Sequence, residues 1–179
     1  MTDMDRVWAE FQEPDGVRAQ YYGGEIVMQA NPTAVHDLVV RSIVRQVEQP
    51  FEAWGERGID LGQDGTPRAD VVVVRAEDVE LGLRDWPAPL IQVVVEVVPP
   101  GKRAYRDDWE TKRELYAEHG IGWYLIVDPR TATWHLLRRE PQARVYIQHS
   151  EGLFGRPVAV PLDGGDVLLA TTAWHPYPG

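Results

Sequence analysis

The stretch Leu90-Ile91-Gln92-Val93-Val94-Val95-Glu96-Val97-Val98 decides the fold, and prolines stand on both sides of it. Apolar residues on both faces indicate a strand that is buried in the middle of a sheet. Glu96 interrupts this apolar run and shares one strand face with Val94 and Val98. An ionised carboxylate there is costly unless it is paired, hydrogen-bonded or bound to a metal ion. Glu96 is therefore the first candidate functional residue.

The rest of the chain supplies helices and further strands around this central strand. Apolar residues at helical spacing predict one long amphipathic helix over Thr33–Ala53. Together the patterns predict a mixed α/β fold, with a central mixed, largely antiparallel sheet flanked by helices. The other predicted elements are a helix over 3–12, a hairpin of 17–22 and 25–29, a strand over 68–74, a helix over 107–119, and strands over 123–127, 133–138 and 144–148.

Length and composition predict one domain for the 179 residues, with a core over about 17–150 and an irregular tail over 151–179 that forms short strands at most. The chain has no cysteine, which excludes disulfides and thiolate chemistry. Its longest apolar run is shorter than the ~18–20 residues of a membrane helix, and its first residues are acidic rather than basic. These features favour a cytoplasmic protein without a membrane segment.

The charge of the chain constrains its partners. A net charge of −10 repels polyanions at long range, which argues against a generic nucleic-acid coat protein. One basic cluster contains Lys102, Arg103, Arg106 and Arg113 and is a candidate for contacts with phosphate, although taken alone a solvated loop and helix face is the simpler explanation. Lys102 and Lys112 are the only lysines in the sequence.

Three residues make a candidate metal site with an adjacent cation. Glu96 and Asp70 both lie on predicted strands, and Lys112 lies on the predicted helix, in one stripe with the aromatic residues Trp109 and Tyr116. Ordinary structural roles remain open for each residue, because Glu96 can pair with an arginine, Asp70 can simply begin a strand, and Lys112 can reach solvent or pair with Asp108. If the three residues converge, they suit Mg²⁺, which takes one or two protein carboxylates.

Several motifs occur in a recognisable order. The segment Gly24-Glu25-Ile26-Val27 precedes His36, Arg68-x-Asp70-Val71 follows, and Val94–Val98 comes next. The longest motif is Asp108-x3-Lys112-x3-Tyr116-x3-Gly120-Ile121-x2-Tyr124-x2-Val127-Asp128-Pro129. In this order the motifs resemble the Uma-two family of restriction endonucleases, a branch of the PD-(D/E)XK nuclease superfamily, over about residues 21–138.

The resemblance implies a restriction-endonuclease-like fold and an active site. Asp70 and Glu96, with the carbonyl of Val97, would bind Mg²⁺ or Mn²⁺, and Lys112 would replace the superfamily lysine, whose usual position is Val98 here. Glu25 and His36 match further motif positions, and Asp108 and Tyr116 belong to the longest motif. The implied activity is endonucleolytic hydrolysis of DNA, and RNA stays open as a substrate.

Two departures from the family pattern bear on this expectation. The segment after the glutamate reads Pro99-Pro100-Gly101-Lys102, and Ala69 stands where a proline usually precedes the metal-binding aspartate. The altered segment and the acidic net charge favour one alternative, a nuclease-fold module that binds or assembles with little or no catalysis. Another alternative is a structural domain in which Glu96 and Lys112 form a buried ion pair. A homodimer is compatible with the sequence, although no residue identifies an interface.

Overall fold

The structure is a computed structural model and describes residues 3–15, 17–100 and 107–178. Its helices are α1 (Asp3–Glu10), α2 (Ala34–Gln46) and α3 (Lys112–Glu118), and a π-helical turn, Asp107–Thr111, leads into α3. The strands are β1 (Val17–Tyr22), β2 (Glu25–Ala30), β3 (Phe51–Asp60), β4 (Gly65–Thr66), β5 (Arg68–Arg75), β6 (Asp85–Pro87), β7 (Ile91–Val97), β8 (Trp123–Asp128), β9 (Thr133–Glu140), β10 (Val145–Leu153), β11 (Val158–Val160) and β12 (Val167–Leu169).

Within the described residues the main sheet has seven strands in the order β10-β9-β8-β7-β5-β3-β6. The predicted central strand is β7, which pairs antiparallel with β5 and parallel with β8. The other pairings in this sheet are antiparallel except that of β3 with β6. The predicted mixed α/β fold with a largely antiparallel sheet is therefore confirmed.

The two faces of the sheet are covered by different helices. The face that carries Val93, Val95 and Val97 packs against Val39 and Ile43 of α2. The opposite face carries Val94 and Val98 and packs against Tyr116 and Ala117 of α3. Because alternate residues of a strand point to opposite faces, Glu96 shares the α3 face with Val94 and Val98.

The prediction of one long helix over Thr33–Ala53 is wrong for the second half of that range. Helix α2 ends at Gln46, and the chain then forms β3, which pairs with β5 from Phe51 onward. Pro50 explains the early end, because a proline inside a helix loses a backbone hydrogen bond and clashes with the carbonyl four residues earlier, here that of Gln46. Phe51 is buried in the core on the α2 face, which also fits a strand.

Residues 151–179 contain the end of β10 and the short antiparallel pair β11–β12. The sequence predicted an irregular tail with short strands at most, and the described part of this segment contains these strands. Its residue Trp174 is buried in the core beneath α2 and donates a hydrogen bond from Nε1 to Ser42 Oγ over 3.2 Å. Helices in the described part of the chain are all too short or too polar to cross a bilayer.

Candidate active site

Two carboxylates lie opposite each other on neighbouring strands. The last pair in the register of β5 and β7 is Val71 with Val95, and Asp70 and Glu96 are the next residues beyond it on the two antiparallel strands. Side chains at opposed positions share a face, with Cβ atoms about 4.5–5.5 Å apart. Both carboxylates line a cavity of about 420 Å³, which we call the carboxylate cavity.

Asp70 is held from the α2 side. Its Oδ1 lies 3.0 Å from Nε2 of His36, and its Oδ2 accepts a 2.7 Å hydrogen bond from the backbone N–H of Val97. His36 is buried in the first turn of α2, where its backbone N–H donates to the hydroxyl of the N-cap residue Thr33. The Asp70 side chain keeps 20% of its surface exposed, so this carboxylate is positioned but accessible.

Glu96 is held from the α3 side and is almost fully buried. Its Oε1 lies 3.0 Å from Nζ of Lys112 and accepts a 2.8 Å hydrogen bond from the hydroxyl of Tyr116. The side chains of Glu96 and Lys112 are each 2% exposed. The buried ion pair that the sequence left open is therefore present, and both of its members line the carboxylate cavity.

Lys112 has two further oxygen neighbours. Its Nζ donates to the carbonyl of Arg68 over 3.2 Å and lies 3.5 Å from Oδ1 of Asp108. Asp108 belongs to the π-helical turn, and such turns occur frequently at functional sites. The hydroxyl of Tyr124 donates to the backbone carbonyl of Asp108 over 2.7 Å, which ties this turn to β8.

The carboxyl groups on the α2 and α3 sides of the carboxylate cavity have pKa values that shift in opposite directions. At Asp70, desolvation raises the pKa, but His36, Lys112 and the Val97 N–H outweigh it, so the pKa is lowered. At Glu96, desolvation raises the pKa well above its usual range, and the charge of Lys112 offsets this only in part. Desolvation likewise raises the pKa of Asp108 to about 7. Desolvation lowers the pKa of Lys112, but the surrounding carboxylates raise it by more, so its ammonium stays protonated at neutral pH.

Comparison with known protein families shows to which family the chain belongs. The family described as "Uma2: Putative restriction endonuclease" matches residues 6–163. The chain belongs to the Uma2 family. A crystal structure described as a putative nuclease belonging to DUF820, from Anabaena variabilis, superposes with a TM-score of 0.61 at 16% sequence identity, over 92% of this chain and 90% of that chain. This likeness confirms the predicted nuclease-like fold. A comparison with curated proteins gives no match.

The Uma2 motif residues fall into three groups in the structure. Asp70, Glu96, Lys112, Asp108 and His36 all line the carboxylate cavity. Tyr116 contacts Glu96 from behind, and Glu25 is exposed at the start of β2, apart from the residues that line the cavity. The predicted phosphate contacts Lys102, Arg103 and Arg106 lie outside the described residues.

Other residues reach the carboxylate cavity without any signal in the sequence. Arg18 of β1 and Tyr177 near the C-terminus both line it. The hydroxyl of Tyr177 donates to the carbonyl of Val98 over 3.0 Å, so the last segment of the chain closes one side of the site. These contacts join positions far apart in the chain, and neither residue lies in a motif or a periodic pattern.

The donor set of the cavity suits a hard cation that keeps most of its own ligands. No three histidine, aspartate or glutamate side chains converge on one point within the described residues, so a cage made only of protein ligands is absent there. Mg²⁺ commonly takes one or two carboxylates and completes its shell with water and substrate phosphate. Asp70 and Glu96, opposed beside an open cavity, fit that requirement.

Proposed function

We propose that the protein is a Mg²⁺- or Mn²⁺-dependent endonuclease that hydrolyses phosphodiester bonds in DNA. The observation that carries this proposal is the opposition of Asp70 and Glu96 on β5 and β7, with the Lys112 ammonium beside them in the same cavity. Membership of the Uma2 family supports a nuclease activity. Metal and substrate are inferred from the chemistry of these side chains.

Asp70 and Glu96 would hold the cation, and the contacts around them support this role. His36 and the Val97 N–H fix the orientation of the Asp70 carboxylate and lower its pKa, so it stays ionised at neutral pH. A bound divalent cation supplies polarisation of the scissile phosphate and a lowered pKa for a water ligand. A bound cation would also favour the ionised form of Glu96, because positive charge nearby lowers the pKa of a carboxyl group.

Lys112 acts as a fixed positive charge rather than as a base. Its raised pKa keeps Nζ protonated, and three oxygen neighbours hold it in place. A preorganised cation in a desolvated cavity stabilises the negative charge that develops on a phosphate during hydrolysis. The substrate enters from the open side of the cavity, where Asp70 is partly exposed and Arg18 forms part of the wall.

The Glu96–Lys112 contact favours a second candidate, a nuclease-fold module that binds without cleaving. Both side chains are buried and lie 3.0 Å apart as an ion pair, which a purely structural role would also explain. The two candidates differ in whether Asp70 and Glu96 take up a cation. Metal binding is therefore the property to test first.

The first experiment is thermal unfolding with and without Mn²⁺ and Mg²⁺, for the wild-type protein and Asp70→Asn. A site at 100 times its Kd stabilises the native state by about 2.7 kcal/mol, which raises Tm by several degrees in a domain of this size. We expect this shift in the wild type and its loss in Asp70→Asn. Asp166→Asn, an exposed aspartate outside the cavity, is the matched control and should keep the shift.

Nicking of a supercoiled plasmid in Mn²⁺ then tests the activity. We expect cleavage by the wild type and by Asp166→Asn, and none by Asp70→Asn. An equal Mn²⁺ shift in wild type and Asp70→Asn would place any metal elsewhere and contradict the assignment. The absence of a shift in all three proteins would favour the module that does not cleave.

A further inference from the structure

A second cavity adjoins the carboxylate cavity and is rich in arginine. Its volume is about 490 Å³, and it lies between α2, β1 and β3. Arg18 lines both cavities, so the two are continuous at this side chain. His36 and Asp37, which are consecutive in α2, line the carboxylate cavity and the second cavity respectively. We call the second cavity the arginine groove, after Arg18, Arg41 and Arg45.

Two of the three arginines are available to a ligand. Arg41 and Arg45 are exposed and lie four residues apart on α2, about 6 Å along its axis. Among the described residues neither guanidinium has an acidic side chain within ion-pair distance. Arg18 differs, because its Nη1 lies 2.5 Å from Oε1 of Glu56. Asp37, the other acid of the groove, lies 3.5 Å from Nδ1 of His36.

The charge of the groove stands out against that of the whole protein. The chain carries ten more acidic than basic residues, so most of its surface repels an anion. With Arg18 and Glu56 neutralising each other, the groove presents Arg41 and Arg45 against Asp37 alone. Among the described residues that line the two cavities, Arg41 and Arg45 are therefore the basic side chains without an acidic partner that a polyanion at the carboxylate cavity can reach.

We propose that the arginine groove binds the phosphodiester backbone of DNA next to the bond that enters the carboxylate cavity. Arg41 and Arg45 would contact successive phosphates, and Arg18 would join the groove to the cavity. Guanidinium groups suit this role because they are always charged and bind phosphate through two parallel hydrogen bonds. This inference rests on the proposed nuclease function and adds where the backbone of the substrate lies.

The test measures the salt dependence of binding to a fluorescein-labelled 20-base-pair DNA duplex without divalent cation. Each lost phosphate contact makes the slope of log Kobs against log salt shallower by about 0.9 for duplex DNA. We expect Arg41→Ala/Arg45→Ala to make the slope shallower by about 1.8 and to weaken binding. Arg138→Ala is the control, because it removes an exposed arginine from β9, on the far side of the sheet from β3.

A second variant should act in the opposite direction. Glu56→Gln removes an acidic group from the groove and frees Arg18, so we expect binding roughly two- to fivefold tighter. The backbone of Glu56 has a positive φ of 53°, and glutamine, whose side chain has the same shape, should keep this conformation. Tm is measured for each variant and should stay close to that of the wild type, because Arg41 and Arg45 are exposed.

The outcomes separate this inference from the proposed function. If the wild type binds Mn²⁺ and nicks plasmid, yet Arg41→Ala/Arg45→Ala keeps the slope of Arg138→Ala, the groove is overturned and the nuclease stands. If the wild type fails to bind the duplex even at 50 mM salt, both the DNA substrate and the groove are overturned. An unchanged or lower affinity in Glu56→Gln would also contradict the groove.

Discussion

The two sides of the carboxylate cavity use the same residue types in opposite ways. On the α2 side, Asp70 is partly exposed, contacts His36 and has a lowered pKa. On the α3 side, Glu96 and Asp108 are buried around Lys112 and have raised pKa values. Since Asp70 and Glu96 are opposed on adjacent strands, the surroundings rather than the strand positions set this difference.

The two sides of the carboxylate cavity therefore suit different roles. An exposed carboxylate that stays ionised is ready to bind a cation at neutral pH. A buried group of two acids and one ammonium has more negative than positive groups, and desolvation disfavours ionisation of both carboxyls in it. A cation bound as proposed would favour ionisation of the α3 side, and this would link metal binding to the buried group.

The largest expected effect follows from removing the Lys112 ammonium, the positive charge of the α3 side. Lys112→Met leaves Glu96 and Asp108 without their positive partner, and losing one member of a buried ion pair costs about 3–5 kcal/mol. We expect a loss of this size in urea unfolding at pH 8, together with the loss of plasmid nicking. Arg138→Met should unfold like the wild type. Wild-type stability in Lys112→Met would show that the buried acids do not need this charge.

The next effect concerns pH and has opposite signs on the two sides of the carboxylate cavity. The pKa of Asp108 is raised from 3.8 to about 7 on folding, so the folded state binds the extra proton between these values and stability falls as pH rises from 4 to 7. The slope for one such group is at most about 1.4 kcal/mol per pH unit. Asp108→Asn should remove this decrease, so its stability relative to the wild type should grow from pH 4 to pH 7.

Asp70 provides the contrast. Its folded pKa is lowered, so its contribution to stability is present above about pH 4 and is lost as pH falls through the folded value. Asp70→Asn should therefore lose stability relative to the wild type above pH 4 and approach it in more acidic buffers. Urea titrations of the three proteins from pH 3 to pH 8 measure both differences. Differences of the same sign would contradict the contrast between the two sides.

The sequence predicts the α3 side better than the α2 side, for a physical reason. Glu96 stands out in an apolar strand, and Lys112 stands out among aromatic residues at helical spacing, so burial reveals both. The contact of His36 with Asp70 depends on how α2 crosses the end of the sheet, and local periodicity carries no information about that crossing. His36 therefore entered the prediction only through resemblance to a family.

The errors in the fold have the same origin. The apolar spacing of Val47 and Phe51 fits a helix and also fits a strand that begins after Pro50, so pairing with β5 decides between them. Arg18, Arg41 and Arg45 look like ordinary surface arginines until β1 and α2 come together. Long-range packing supplied what the residue pattern could not.

The smallest effect tests how far the α3 side depends on one hydrogen bond. Tyr116→Phe removes the 2.8 Å bond from the hydroxyl to Glu96 Oε1 and leaves the ring in place. Losing one buried hydrogen bond costs about 1 kcal/mol. Tyr177→Phe removes a 3.0 Å bond to the Val98 carbonyl at the edge of the same cavity and serves as the matched variant. Of these two tyrosines, only Tyr116 contacts a carboxylate of the buried group. Tyr116→Phe should therefore change the Mn²⁺-induced shift in Tm, whereas Tyr177→Phe should not. Equal Mn²⁺-induced shifts in the two variants would show that metal binding does not depend on how Glu96 is oriented.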